Sequence, residues 1–224
     1  MKQSIFYIAL VLLLTNCKKE EGRFIAEKSF YKVTFNLDWN STNFPIDYPA
    51  NAHFSRVIGW SHNSGSTFFK EGTIASVGIK DMAERGLITP LDTEITAKIS
   101  NREGHRLVVG SSLASGLGSI VLDSLEVTKD FPLLSLVSML APSPDWYIGV
   151  LAVDLHDNNE FLVEKTVDIM VYDAGTDSGV TFSSTDSLTS PQQSVKVFVD
   201  APLGNGVILN KVIGTVTFVK QSEI

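Results

Sequence analysis

Two acidic corners, Ala141-Pro142-Ser143-Pro144-Asp145-Trp146 and Tyr172-Asp173-Ala174-Gly175-Thr176-Asp177-Ser178-Gly179, bracket two apolar runs, Tyr147 to Leu155 and Val167 to Val171. The pattern reads as strand, turn, strand, with carboxylates at the open ends. Gly175 lies between Asp173 and Asp177, so a tight turn there can bring both side chains to one point. From spacing alone two readings stay open. Aspartates cap turns by accepting from nearby backbone N–H groups. Several carboxylates meeting in space also hold a hard cation, which takes oxygen ligands of this kind.

Working outward, Phe30 to Trp39 alternates: Tyr31, Val33, Phe35 and Leu37 on one face, Lys32, Thr34, Asn36 and Asp38 on the other. Period two predicts a half-buried strand. Leu133 to Leu140 is nearly continuous apolar and predicts a central strand. Further strands are expected at Phe54 to His62, Phe68 to Ile74, Glu94 to Ile99, Arg106 to Gly110, Ser124 to Lys129, Val195 to Val199 and Val212 to Val219. One short helix is expected at Ile79 to Arg85, closed by Gly86 at its C-terminus. About ten short strands with turns between them predict an all-β, antiparallel sandwich.

Met1-Lys2, the apolar run Ile5 to Leu14 and Leu14-Thr15-Asn16-Cys17 read as a leader ending in a lipobox. The run is shorter than the roughly 20 residues of a membrane span. The expected organisation is a signal peptide 1–16, a tether 17–28 and a sandwich domain 29–224. Cys17 would carry the lipid that holds the protein in a bacterial cell envelope, on the periplasmic or surface face of the outer membrane. It is the sole cysteine, so a disulfide within the chain is excluded. A net charge of −7 argues against nucleic acid as a partner.

Enzyme signals are weak. Gly59-Trp60-Ser61-His62-Asn63 approaches a nucleophile elbow but ends in Asn. Ser61 and His62 would also point to opposite faces of a strand. The four histidines, His53, His62, His105 and His156, lack zinc-ligand spacing. Glu126 and Asp145 form a conceivable glycosidase pair. Trp146 reads as a packing residue at the corner.

Phe44 through Gly86 and Phe131 through Ser184 resemble the spondin N-terminal domain family, the type found in F-spondin and mindin. Tyr48-Pro49, His53-Phe54-Ser55, Ala83-Glu84-Arg85-Gly86, Pro142 through Trp146, Tyr172 through Gly179 and Phe182-Ser183-Ser184 carry the likeness. The resemblance implies a sandwich similar to C2 domains. It also implies a calcium ion held by Glu126, Asp145, Asp173 and Asp177. Animal members act in the extracellular matrix and in cell adhesion, some through integrins. The sequence departs from them in lacking their cysteines, and the expectation is a spondin-type domain without a following thrombospondin-type repeat. The expectation is a non-enzymatic surface domain that binds an extracellular glycan or protein. Calcium-dependent binding of anionic lipid and metal-assisted hydrolysis are the alternatives.

Overall fold

The computed structural model describes residues 27–224. The expected leader, Cys17 and the tether up to residue 26 lie outside the described residues. The chain opens with β1 (Lys28–Asp38), β2 (His53–Phe54) and β3 (Ile58–His62), then helices α1 (Val77–Arg85) and α2 (Leu91–Ser100). Next come β4 (Gly104–Val109), β5 (Leu117–Thr128), β6 (Leu133–Ala141) and β7 (Trp146–Asp154). A small hairpin, β8 (His156–Asp157) with β9 (Glu160–Phe161), precedes β10 (Glu164–Asp168), β11 (Met170–Asp173), β12 (Lys196–Val197) and β13 (Gly214–Glu223).

The strands form the expected antiparallel sandwich. One sheet has the order β10-β13-β1-β5; the other runs β12-β11-β7-β6-β3-β4, with β2 added beside β6. Alternation in β1 sends Tyr31, Val33, Phe35 and Leu37 between the sheets, where all four are buried. β6 is buried along its whole length. Leu134, Leu136 and Leu140 face the inter-sheet core, whereas Val137, Met139 and Ala141 enter a second core on the outer face. A strand covered on both faces reads as a continuous apolar run rather than an alternation.

The second core is roofed by the two helices and by Phe68 and Phe69. α1 is capped as expected. The Ser76 side chain accepts from the Ile79 N–H, and Gly86 takes the left-handed conformation, φ 66°, that closes the last turn. α2 corrects the expectation of a single helix. Glu94 to Ile99 looks like an alternating strand, but Leu91, Ile95 and Ile99 recur every four residues and pack against the sheet. Pro90 immediately precedes this helix, a position where a missing N–H costs nothing. Phe68 to Ile74 is a second correction: it is an irregular loop. Phe68 packs edge-on against Trp60, and Phe69 against Tyr147 and Tyr172, so two consecutive side chains are buried together.

Candidate cation-binding corner

The β6–β7 corner is built around Trp146. Its indole stacks on Phe198, with 4.2 Å between ring centroids, and meets Phe182 edge-on. It is 1% exposed, so it packs as expected and is closed to a stacking ligand. The Ser143 hydroxyl accepts from the Trp146 N–H at 3.1 Å. This fixes the turn and leaves the preceding residue, Asp145, pointing inward.

Asp145 is fully buried. Its Oδ2 accepts three hydrogen bonds from the loop after β11: from Thr176 N at 2.7 Å, Asp177 N at 3.1 Å and Thr176 Oγ1 at 3.2 Å. Its Oδ1 is buried and, among the described residues, has no hydrogen-bond partner. Burial, and then repulsion from Asp173, push the Asp145 carboxyl up to about 6 against the pull of the three donors. A buried carboxylate oxygen left without a donor is expensive, and here a second carboxylate stands beside it.

Asp173 ends β11. Its Oδ1 accepts from Gly175 N at 2.7 Å, and its Oδ2 lies 3.4 Å from the Lys196 ammonium. Gly175 holds φ 71°, and a Cβ there would fall 2.4 Å from the Gln193 carbonyl, so this turn demands glycine. Asp177 repeats the motif: Oδ1 accepts from Gly179 N at 2.7 Å and Oδ2 from Ser187 N at 2.8 Å. Both aspartates therefore do act as turn caps. Each capped oxygen still has lone-pair capacity for a cation. Trp146, Asp173, Asp177, Lys196, Phe198 and Asp200 line a cleft of about 240 Å³ over this corner.

Glu126 does not join the three aspartates. It sits near the end of β5 opposite Phe30, just before the β5–β6 turn. Asp145 follows the far end of β6, nine residues long, which spans about 30 Å. The carboxylate of Glu126 meets His105 Nε2 at 3.3 Å, Lys28 Nζ at 3.7 Å and Arg106 Nε at 3.8 Å. It borders a larger hollow, about 590 Å³, between the outer strands β4 and β5. The same separation removes the glycosidase pairing of Glu126 with Asp145.

Among the described residues no group of three or more His, Cys, Asp or Glu side chains is gathered in metal-holding geometry. The corner is thus an open arrangement: Asp173 is near enough to Asp145 to raise its carboxyl pKa, and Asp177 is turned onto its own loop. The donors nevertheless fit a hard cation. All are oxygens, the local charge is negative, and Asp145 Oδ1 is buried with nothing to accept from. Ser61 and His62 form no dyad. His62 Nε2 bonds Ser135 Oγ at 2.7 Å, its ring stacks on Trp60, and burial pushes its pKa down. Lys196 and Thr176 escaped the sequence reading. Only the pairing of β11 with β12 sets Lys196 opposite Asp173.

The fold is that of an antiparallel β-sandwich with an acidic corner at the β6–β7 end. The Spondin_N family model matches residues 29–202, and the chain belongs to the spondin N-terminal domain family. It is 37% identical to Spondin-2 of Homo sapiens over 169 residues, covering 74% of this chain and 51% of that protein. It is 35% identical to Spondin-1 of Homo sapiens and 33% identical to Spondin-1 of Gallus gallus, each over 175 residues. These two matches cover 74% of this chain and 21% of each Spondin-1. The chain therefore matches about half the length of Spondin-2 and a smaller part of Spondin-1.

Proposed function

We propose that this is an extracellular binding domain whose Asp145, Asp173 and Asp177 hold a calcium ion. The observation that carries the reading is Asp145 Oδ1, buried and without a donor beside a second carboxylate. Bound calcium supplies the positive charge that this oxygen lacks. Asp145 contributes a fixed ligand, because its other oxygen is pinned by Thr176 and Asp177. Asp173 and Asp177 contribute carboxylates whose backbone turns already hold them at the cleft. The loops so fixed are the surface offered to a glycan or protein. The role is adhesive rather than enzymatic, and the family membership supports it. The protein is held at the cell envelope by lipid on Cys17.

Calorimetric titration of the purified protein with calcium tests the metal. One calcium per chain in the wild type and none in Asp173→Ala is the expected result; no heat of binding in the wild type contradicts it. Anchoring is tested by fractionation, with Cys17→Ser moving from membrane to soluble fractions. Val180 and Leu188, each 73% exposed on the loop that Asp177 folds, favour a second reading, calcium-dependent docking on anionic lipid. Co-sedimentation with phosphatidylserine vesicles, in calcium and in chelator, separates the two.

A further inference from the structure

Among the described residues, one basic side chain enters the acidic corner. Lys196 lies directly opposite Asp173 in the β11–β12 ladder, so the backbone register, and not chance surface contact, brings them together. Its ammonium is 3.4 Å from Asp173 Oδ2 and 3.8 Å from Asp200 Oδ2. Lys196, Asp173, Asp177 and Asp200 line one cleft. At the other end of the sandwich Glu126 is met by three basic side chains; here Lys196 faces Asp173 and Asp200, and Asp145 Oδ1 behind them has no partner.

We infer that Lys196 is an internal competitor for the cation site. This rests on the calcium reading above and adds the residue that sets its affinity. With no metal bound, the ammonium neutralises Asp173 and limits its repulsion of Asp145. The lysine side chain is 49% exposed, so its pairing with Asp173 is a weak surface interaction that a divalent cation can displace. Asp200, four residues along, already shares the ammonium and gives it a place to go. Calcium entry and lysine release are then one exchange. The site stays lysine-closed at low calcium and opens as calcium rises. The charge of Lys196, rather than its shape, sets the threshold.

The test is calorimetric calcium titration of the full protein for wild type, Lys196→Met and Lys196→Arg, with melting temperatures in chelator. Lys196→Met should bind calcium about tenfold or more tightly than wild type, because a unit charge close to a dication has been removed. Its melting temperature in chelator should fall, because Asp173 loses its counter-ion. Lys196→Arg keeps the charge and should stay near wild type. Lys196→Gln gives the same comparison with a polar side chain should Met perturb the strand. Calcium binding by wild type with equal or weaker binding by both neutral variants overturns the inference and leaves the calcium reading intact. Binding by a neutral variant but not by the wild type overturns both, because the exchange requires calcium to enter the native site. Binding by none of the proteins overturns both.

Discussion

The two ends of the sandwich treat an acidic side chain in opposite ways. Near the β5–β6 turn, Glu126 is 15% exposed and has Lys28, His105 and Arg106 within ion-pairing distance. At the β6–β7 corner, Asp145 is fully buried, has three donors on one oxygen and none on the other, and stands beside another carboxylate. The protein neutralises the first acid by itself. It positions the second and leaves its charge uncompensated. On the calcium reading proposed here, the difference separates a structural carboxylate from one prepared for a ligand, and residue type or distance along the chain does not reveal it.

The comparison can be broken first through its aromatic supports. Trp146→Ala removes a buried ring packed on Phe198 and Phe182 and should cost about 3–5 kcal/mol of stability. Phe131→Ala, at the Glu126 end, removes a half-buried ring stacked on His105 and should cost clearly less. Urea denaturation of both variants measures the contrast.

A pH series comes next in size. Burial and Asp173 raise the Asp145 carboxyl to about 6 in the folded chain, so the folded state holds that proton more tightly than the unfolded state does. In chelator its stabilising contribution is therefore present below about pH 4 and lost as pH rises through about 6, an effect of about 3 kcal/mol. Asp145→Asn should lack this component. Saturating calcium should suppress it in the wild type. Melting temperatures between these pH values, read as the difference between wild type and variant, check the direction.

The smallest effect sharpens the contrast. Glu126→Gln removes the charge shared by three basic groups that are themselves a third or more exposed. It should change stability by no more than about 1 kcal/mol. Its response to calcium should match that of the wild type. A lost calcium response in Glu126→Gln would place that residue back among the ligands.

Much of the fold was legible because the physics is local. Tyr31, Val33, Phe35 and Leu37 alternate since one face of β1 is core and the other is not, and Gly86 marks a helix end because it alone accepts that φ without strain. α2 was not legible from Glu94 to Ile99, since that window excludes Leu91 and hides the four-residue recurrence. The burial of Phe68 and Phe69 depends on Tyr147 and Tyr172, which lie far along the chain.

The site divides along the same line. Asp145, Asp173 and Asp177 lie on turns that the local sequence specifies; Asp173 comes near enough to Asp145 to raise its carboxyl pKa, and the Asp177 N–H donates to Asp145 Oδ2. Glu126 enters the ligand set only through the family resemblance, and a whole strand separates it from Asp145. Lys196 was invisible because strand register is a property of the assembled sheet.

Calcium titration of the wild type, Asp145→Asn and Glu126→Gln, followed by calorimetry and by melting temperature, tests the central claim most directly. The account predicts one calcium bound by the wild type and by Glu126→Gln. At a hundredfold excess over Kd that binding should stabilise the fold by about 2.7 kcal/mol. It predicts no binding and no calcium-dependent stabilisation in Asp145→Asn. A wild type whose melting temperature is the same in calcium and in chelator, or an Asp145→Asn variant that binds as well as wild type, would show that the acidic corner only caps turns and would contradict the account.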